Sequence, residues 1–273
     1  VTGRGSKLTV AVVYPDLLGT YGDGGNGLIV ARRAAWRGID VDLVPALSDR
    51  PLPTADIYTI GGGEDGPQVR AATTLLDEGT LAERVGEGAV VLGVCAGFQL
   101  IGRSFPDARD RPQEGVGLLD VTTVKGSGPR AVGELLATPT PDAPRTAGGE
   151  RLPRLTGFEN HGGVTRIGTG AHPLARVERG VGNGGGDGTE GAWSDRVVGT
   201  YLHGPVLARN SALADILLGW ALAPAGAPPG TAVDLEPLAD HEELALRSER
   251  LEAVDGATRT GWRGRLAPFR GRG

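Results

Sequence analysis

Gly93-Val94-Cys95-Ala96-Gly97-Phe98-Gln99 follows an apolar run, residues 89–92, and leads into an amphipathic stretch ending at Ile101. Small residues on both sides of a cysteine let the chain turn sharply from a strand into a helix. A side chain in such a turn stands at the carboxyl end of the sheet, above the N-terminus of the next helix. That N-terminus carries free N–H groups and partial positive charge, which favour thiolate over thiol. Cys95 is the single cysteine of the chain. The stretch therefore reads in two ways: a nucleophile on a strand-to-helix elbow, or a small core residue after a hydrophobic strand. What separates the two lies elsewhere in the sequence.

Outward from the elbow, residues 8–13, 41–44, 55–60 and 89–94 read as strands, rich in β-branched and apolar residues. Between them, residues 28–36 and 67–85 read as helices, the first ended by Gly38 and the second broken at Gly79. Strands alternating with helices predict an α/β fold: a mostly parallel, flavodoxin-like central sheet with helices on both faces. Ligands then bind at the carboxyl ends of the strands. The second half changes character. Residues 117–124, 155–159, 164–167, 175–178 and 197–201 are short strand candidates, and residues 138–150 and 180–191 read as exposed loops. The glycine-rich run 182–188 reads as too flexible to carry chemistry. Helices resume at residues 206–223 and 237–254. Residues 1–255 are expected to form a single domain, and 256–273 a basic, flexible tail.

The bulk properties narrow the class. A chain of 273 residues buries a core without staples, and one cysteine excludes an internal disulfide. No apolar run approaches the roughly 20 residues that span a bilayer, and residues 1–7 are too polar for a signal peptide. The expectation is a soluble, cytoplasmic protein. A net charge of −5 supplies no basic field for nucleic acid.

Two more stretches carry candidate chemistry. Gly61-Gly62-Gly63 follows the third strand, where backbone N–H groups can approach a ligand closely. Phosphate binding is one use, although no Gly-Lys-Ser/Thr follows; an oxyanion hole is another, and an ordinary flexible turn a third. Thr200-Tyr201-Leu202-His203-Gly204-Pro205 follows the last strand. Of the four histidines, His203 alone sits where a strand ends and a helix is about to begin. His203 and Cys95 would project from one edge of the sheet, and such a pair makes a nucleophile with its own proton shuttle. The histidines lack metal-ligand spacing, so no metal site is expected.

Together these motifs, in this order and spacing, resemble the class I (triad-type) glutamine amidotransferases, in their CobB/CobQ-like, cobyric-acid-synthase-type branch. Gly93 to Gln99 resembles the family's nucleophile elbow, Gly61-Gly62-Gly63 its oxyanion strand, and Gly199 to Gly204 its histidine motif. Tyr14-Pro15-Asp16, Tyr21-Gly22-Asp23 through Asn26, Arg130 to Glu134 and Gly157 to Gly163 extend the likeness over residues 8–250. Within the branch it is strongest to the glutaminase subunits, termed GatD, of lipid II isoglutaminyl synthases. The resemblance implies Cys95 and His203 as catalytic residues, and an oxyanion hole from the N–H groups of Gly63 and Ala96. Gln99, Gly62 and Arg130 would bind substrate, Arg130 at the α-carboxylate. It implies no cofactor in this chain, ATP on a partner, and a Mur-ligase-like partner of the MurT type in a heterodimer that reaches lipid II.

One departure stands out. Many class I enzymes place a glutamate two positions after the histidine, and here that position is Pro205. Either another carboxylate of this chain orients the imidazole, or the partner supplies one. Tyr21-Gly22-Asp23 itself reads either as a contact loop or as a structural turn. Three functions compete: a glutaminase subunit feeding a ligase; a cobyric-acid-synthase-like or γ-glutamyl-hydrolase branch; and a catalytically silent scaffold. The intact Cys95 and His203 argue against the last.

Overall fold

The apolar runs that read as strands in the first half line up side by side. β1 (Leu8–Val13) pairs in parallel with β2 (Val41–Ala46) and β3 (Ile57–Ile60), and β3 pairs in parallel with β4 (Val90–Val94). Every residue of β3 and β4 is buried, which is why they read as continuous apolar segments. β2 is the edge strand, and it tolerates Pro45 there. The computed structural model describes residues 7–224, 226–228 and 230–259. The described helices are α1 (Gly25–Trp36), α2 (Asp65–Glu78), α3 (Thr80–Gly86), α4 (Ala96–Leu100), α5 (Val206–Arg209), α6 (Ser211–Ala221) and α7 (His241–Arg259).

Beyond β4 the sheet continues through β13 (Val197–Thr200), which is still parallel to β4. From there it runs antiparallel through β12 (Thr189–Ser194), β11 (His172–Arg179) and β8 (Ala131–Pro139) to β9 (Leu155–His161). The result is a nine-stranded sheet in the order β2-β1-β3-β4-β13-β12-β11-β8-β9. Its parallel half matches the sequence pattern, and its antiparallel half extends it. A second sheet of four strands packs β10 (Gly163–Ile167), β7 (Val121–Lys125), β5 (Ser104–Pro106) and β6 (Pro112–Glu114) in that order.

Several local readings change. The stretch 180–191 is not an exposed loop: it runs into β12, and Asn183 and Glu190 are fully buried. The stretch 138–150 starts inside β8. The helical stretch 206–223 breaks at Asn210. That side chain leaves the helix pattern to bond the backbone of Thr156 in β9, donating to its carbonyl at 2.9 Å and accepting from its N–H at 3.0 Å. The helical stretch 67–85 does split at Gly79, whose φ is +69°.

The chain divides into two units after Ala239. The second holds α7, a polar helix in which Leu244 and Leu246 are exposed. Residues 260–273, most of the basic tail, lie outside the described residues. Among the described residues no helix is long and apolar enough to cross a membrane.

The elbow is held from below. Cys95 donates its N–H to the Thr200 carbonyl at 2.9 Å, which ties β4 to the end of β13. Gly97 donates to Gly61 at 3.1 Å, and a Cβ on Gly97 would lie 2.3 Å from the Ile60 carbonyl oxygen. The first turn of α4 can lie against the end of β3 only because that residue has no side chain. Gly97→Ala is expected to cost about 2 kcal/mol by urea unfolding, the usual scale of overpacking. Gly66→Ala, with open space around its Cβ, is expected to leave stability unchanged or slightly raised.

Candidate active site

Cys95 sits between β4 and α4 with φ +53° and ψ −104°. Positive φ at a β-substituted residue is strained. The strain turns the thiol out of the sheet while the residue stays 8% exposed. His203 lies three residues beyond the end of β13. Its backbone makes two hydrogen bonds to Phe158 of β9, donating at 2.8 Å and accepting at 3.2 Å. A Cβ built on Gly62 would lie 2.8 Å from His203 Cε1 and 3.6 Å from Cys95 Cβ. The three strand ends thus converge, and Gly62 lacks a side chain where one would wedge imidazole and thiol apart.

The carboxylate missing at Pro205 comes from the other end of the domain. Asp23 Oδ2 lies 2.8 Å from His203 Nδ1, across 180 residues of sequence. The same oxygen accepts the Gly62 N–H at 2.9 Å. Asp23 is 2% exposed. Of the two sources left open by the sequence, it is a carboxylate of this chain that meets the imidazole, and Cys95, His203 and Asp23 lie together. Tyr21-Gly22-Asp23 is the loop that does it. Tyr21 and Gly22 both have positive φ, at +62° and +76°. Tyr21 sets its ring edge-on to His203, with centroids 4.9 Å apart. Asn26 then accepts the Leu207 N–H at 3.0 Å, which fixes the chain just after His203.

A cavity of about 320 Å³ opens beside Cys95, lined by Gly63, Ala96, Gln99, Arg130 and His161 among others. Among the described residues the N–H groups of Gly63 and Ala96 have no acceptor, as an oxyanion hole requires. Gly62 is different: its N–H is already given to Asp23 at 2.9 Å. Gln99 is held on both sides. Its Oε1 accepts from Gln68 at 3.0 Å, and its Nε2 donates to Tyr201 Oη at 3.1 Å. Arg130 Nε donates to Asn160 Oδ1 at 2.5 Å, and Nη2 to the Asn160 carbonyl at 3.0 Å. Asn160 in turn donates to Tyr21 Oη.

Comparison with known proteins shows the family. Residues 9–211 match the CobB/CobQ-like glutamine amidotransferase domain. The chain belongs to that family. It is 31% identical to the lipid II isoglutaminyl synthase subunit GatD of Staphylococcus aureus, over 93% of this chain and 97% of that one. It is 33% identical to GatD of Streptococcus pneumoniae, over 79% and 81%. A cobyric acid synthase of Methylobacterium nodulans is 34% identical over 80% of this chain, which spans 42% of that protein. A solved structure described as a glutamine amidotransferase shares the fold, with a TM-score of 0.53, 19% identity, and coverage of 78% of this chain and 99% of that one. The enzyme is thus of glutamine amidotransferase type.

For this amidotransferase domain the charge state of His203 follows from its neighbours. Burial lowers its basicity, but the hydrogen bond to Asp23 and the nearness of Asp23 and of the Cys95 sulfur outweigh burial and push its pKa up to about 9. The imidazole is therefore protonated at neutral pH. Its Nε2 has no partner among the described residues. A pKa raised above the unfolded value of about 6.5 adds stability that is complete below 6.5 and lost as pH rises through 9.

Asp23, Gln68 and Tyr201 contact the candidate site residues His203 and Gln99, and motif spacing alone misses them. Only Asp23 had a signal, an acid in a Tyr-Gly-Asp turn. By NMR, the His203 ring is expected to titrate near pH 9 in the intact chain and clearly lower in Asp23→Asn. An unchanged midpoint would contradict the assignment of Asp23.

Proposed function

We propose that the chain hydrolyses L-glutamine to glutamate and ammonia and passes the ammonia to a Mur-ligase-like subunit of the MurT type. That partner would use ATP to amidate the D-glutamate of lipid II to D-isoglutamine, in the cytoplasm, as part of cell-wall synthesis. The observation that carries the hydrolytic half is the line Asp23–His203–Cys95 beside a cavity with two free N–H donors. The likeness along 97% of one GatD subunit and 81% of another supports the choice of ligase.

The chemistry follows from the residues. The Cys95 thiolate attacks the side-chain carbonyl carbon of glutamine. The resulting oxyanion is met by the N–H groups of Gly63 and Ala96, worth about 3 kcal/mol for one donor in comparable sites. The protonated His203 gives its Nε2 proton to the departing nitrogen, so that ammonia leaves and a thioester remains. Neutral His203 then takes a proton from water, which attacks the thioester. Collapse of the second tetrahedral intermediate breaks the C–S bond, restores the thiolate and leaves the proton on His203, while the released glutamate gives its γ-carboxyl proton to solvent. Asp23 keeps Nδ1 protonated and the ring in place through both halves. Arg130, with Nε and Nη2 anchored on Asn160, holds Nη1 for the α-carboxylate.

The triad is complete within the chain, so glutamine hydrolysis by the isolated full chain is expected without a partner. Partner addition would change its rate without supplying the acid. In a coupled ammonia assay, Cys95→Ala is expected to abolish turnover, and Asp23→Asn to lower kcat by about 10²- to 10⁴-fold. Arg130→Lys is expected to raise KM much more than it lowers kcat, since a single ammonium cannot reproduce the fork on Asn160. Undiminished turnover in Cys95→Ala would refute the reading.

A further inference from the structure

Hydrolysis of glutamine leaves glutamate in the same cavity, and the site must tell the two apart. The N–H groups of Gly63 and Ala96 meet an oxygen that amide and acid share. What differs is the neighbouring group: two N–H donors in the amide, a second oxygen in the acid. A group that reads this difference must be a hydrogen-bond acceptor close to the nucleophile. Protonated His203 is a donor on both nitrogens and cannot serve. The Asn160 backbone carbonyl can, because its oxygen lies 3.9 Å from Cys95 Sγ. Arg130 takes one of its two lone pairs and the Cys95 thiol points at the other, which the thiolate leaves open to a substrate N–H.

The residues on either side of this carbonyl are buried, polar and otherwise unused by the mechanism. Glu159 is 2% exposed and accepts the N–H groups of Val181 at 2.8 Å and Gly182 at 2.9 Å. His161 is 3% exposed. Its Nδ1 meets the Gly163 carbonyl at 3.0 Å and therefore donates to it. Its ring stacks on Tyr201 at 3.7 Å and 16°, and its Nε2, without a hydrogen-bond partner, lies 3.7 Å from Glu159 Oε2. Glu190 packs close by, held by Thr200 and Tyr201 and pushed up to about 7 by burial. Two buried anchors thus bracket one peptide unit and stop its carbonyl from turning away from the sulfur.

We infer that the Asn160 carbonyl is the specificity element that accepts a carboxamide N–H of glutamine and repels the carboxylate of glutamate, and that Glu159 and His161 are the positioning residues that aim it. The inference rests on the glutaminase reading and adds the group that selects amide over acid and helps expel the product.

The test is calorimetric binding of L-glutamine and L-glutamate to the full chain carrying Cys95→Ala. Glutamine is expected to bind at least about 10²-fold more tightly than glutamate, as for a site built around a substrate N–H. Adding His161→Asn or Glu159→Gln is expected to weaken glutamine while glutamate holds or improves, so that the ratio falls about tenfold. Weakening of both ligands in step, with the ratio kept, would show a structural role only and overturn the inference. Equal affinity before any further substitution would overturn it too, and that arm needs neither positioning variant to fold. Binding of neither ligand would instead overturn the glutaminase reading.

Discussion

One carboxylate oxygen organises the site. Asp23 Oδ2 accepts from both His203 Nδ1 and the Gly62 N–H. Through the first contact it fixes the tautomer and charge of the imidazole. Through the second it pins the glycine-rich turn whose next residue offers a free N–H to the cavity. Two hydrogen bonds converge on one buried oxygen, and burial makes each stronger than it would be in water. Loosening Asp23 would disturb the His203 ring and the Gly62-Gly63 turn together.

The fold exists to bring four distant strand ends to this point. β3 delivers the glycine turn, β4 the cysteine, β13 the histidine, and β9 the carbonyl beside the sulfur. The antiparallel half of the sheet is what brings β9 there. Its Phe158 is bonded to the His203 backbone, and two residues later Asn160 faces the thiol. Buried polar groups in this half, Glu159, His161 and Glu190, hold backbone where apolar packing alone would leave it free to shift.

Legibility in the sequence followed the physics of each element. The parallel strands were readable because both faces are buried, so IYTI and VVLGV appear as runs rich in β-branched and apolar residues. Cys95 and His203 stood out because their residue types are scarce: one cysteine and four histidines. Asp23 did not, being one of 33 acidic residues and lying 180 positions from its partner. β12 was hidden because Glu190 is a buried charge in a glycine-flanked segment, which mimics a solvated loop. With Pro205 two residues after the histidine, the source of the carboxylate stayed open between this chain and a partner, and topology brings Asp23 to His203 from the loop after β1.

The central claim is that this chain carries a whole triad. Intact mass spectrometry of the full chain alone, mixed with glutamine and quenched in acid, tests it most directly. The account predicts a γ-glutamyl thioester on Cys95 with release of ammonia, and neither in Cys95→Ala. Absence of both adduct and ammonia until a second protein is added would contradict it.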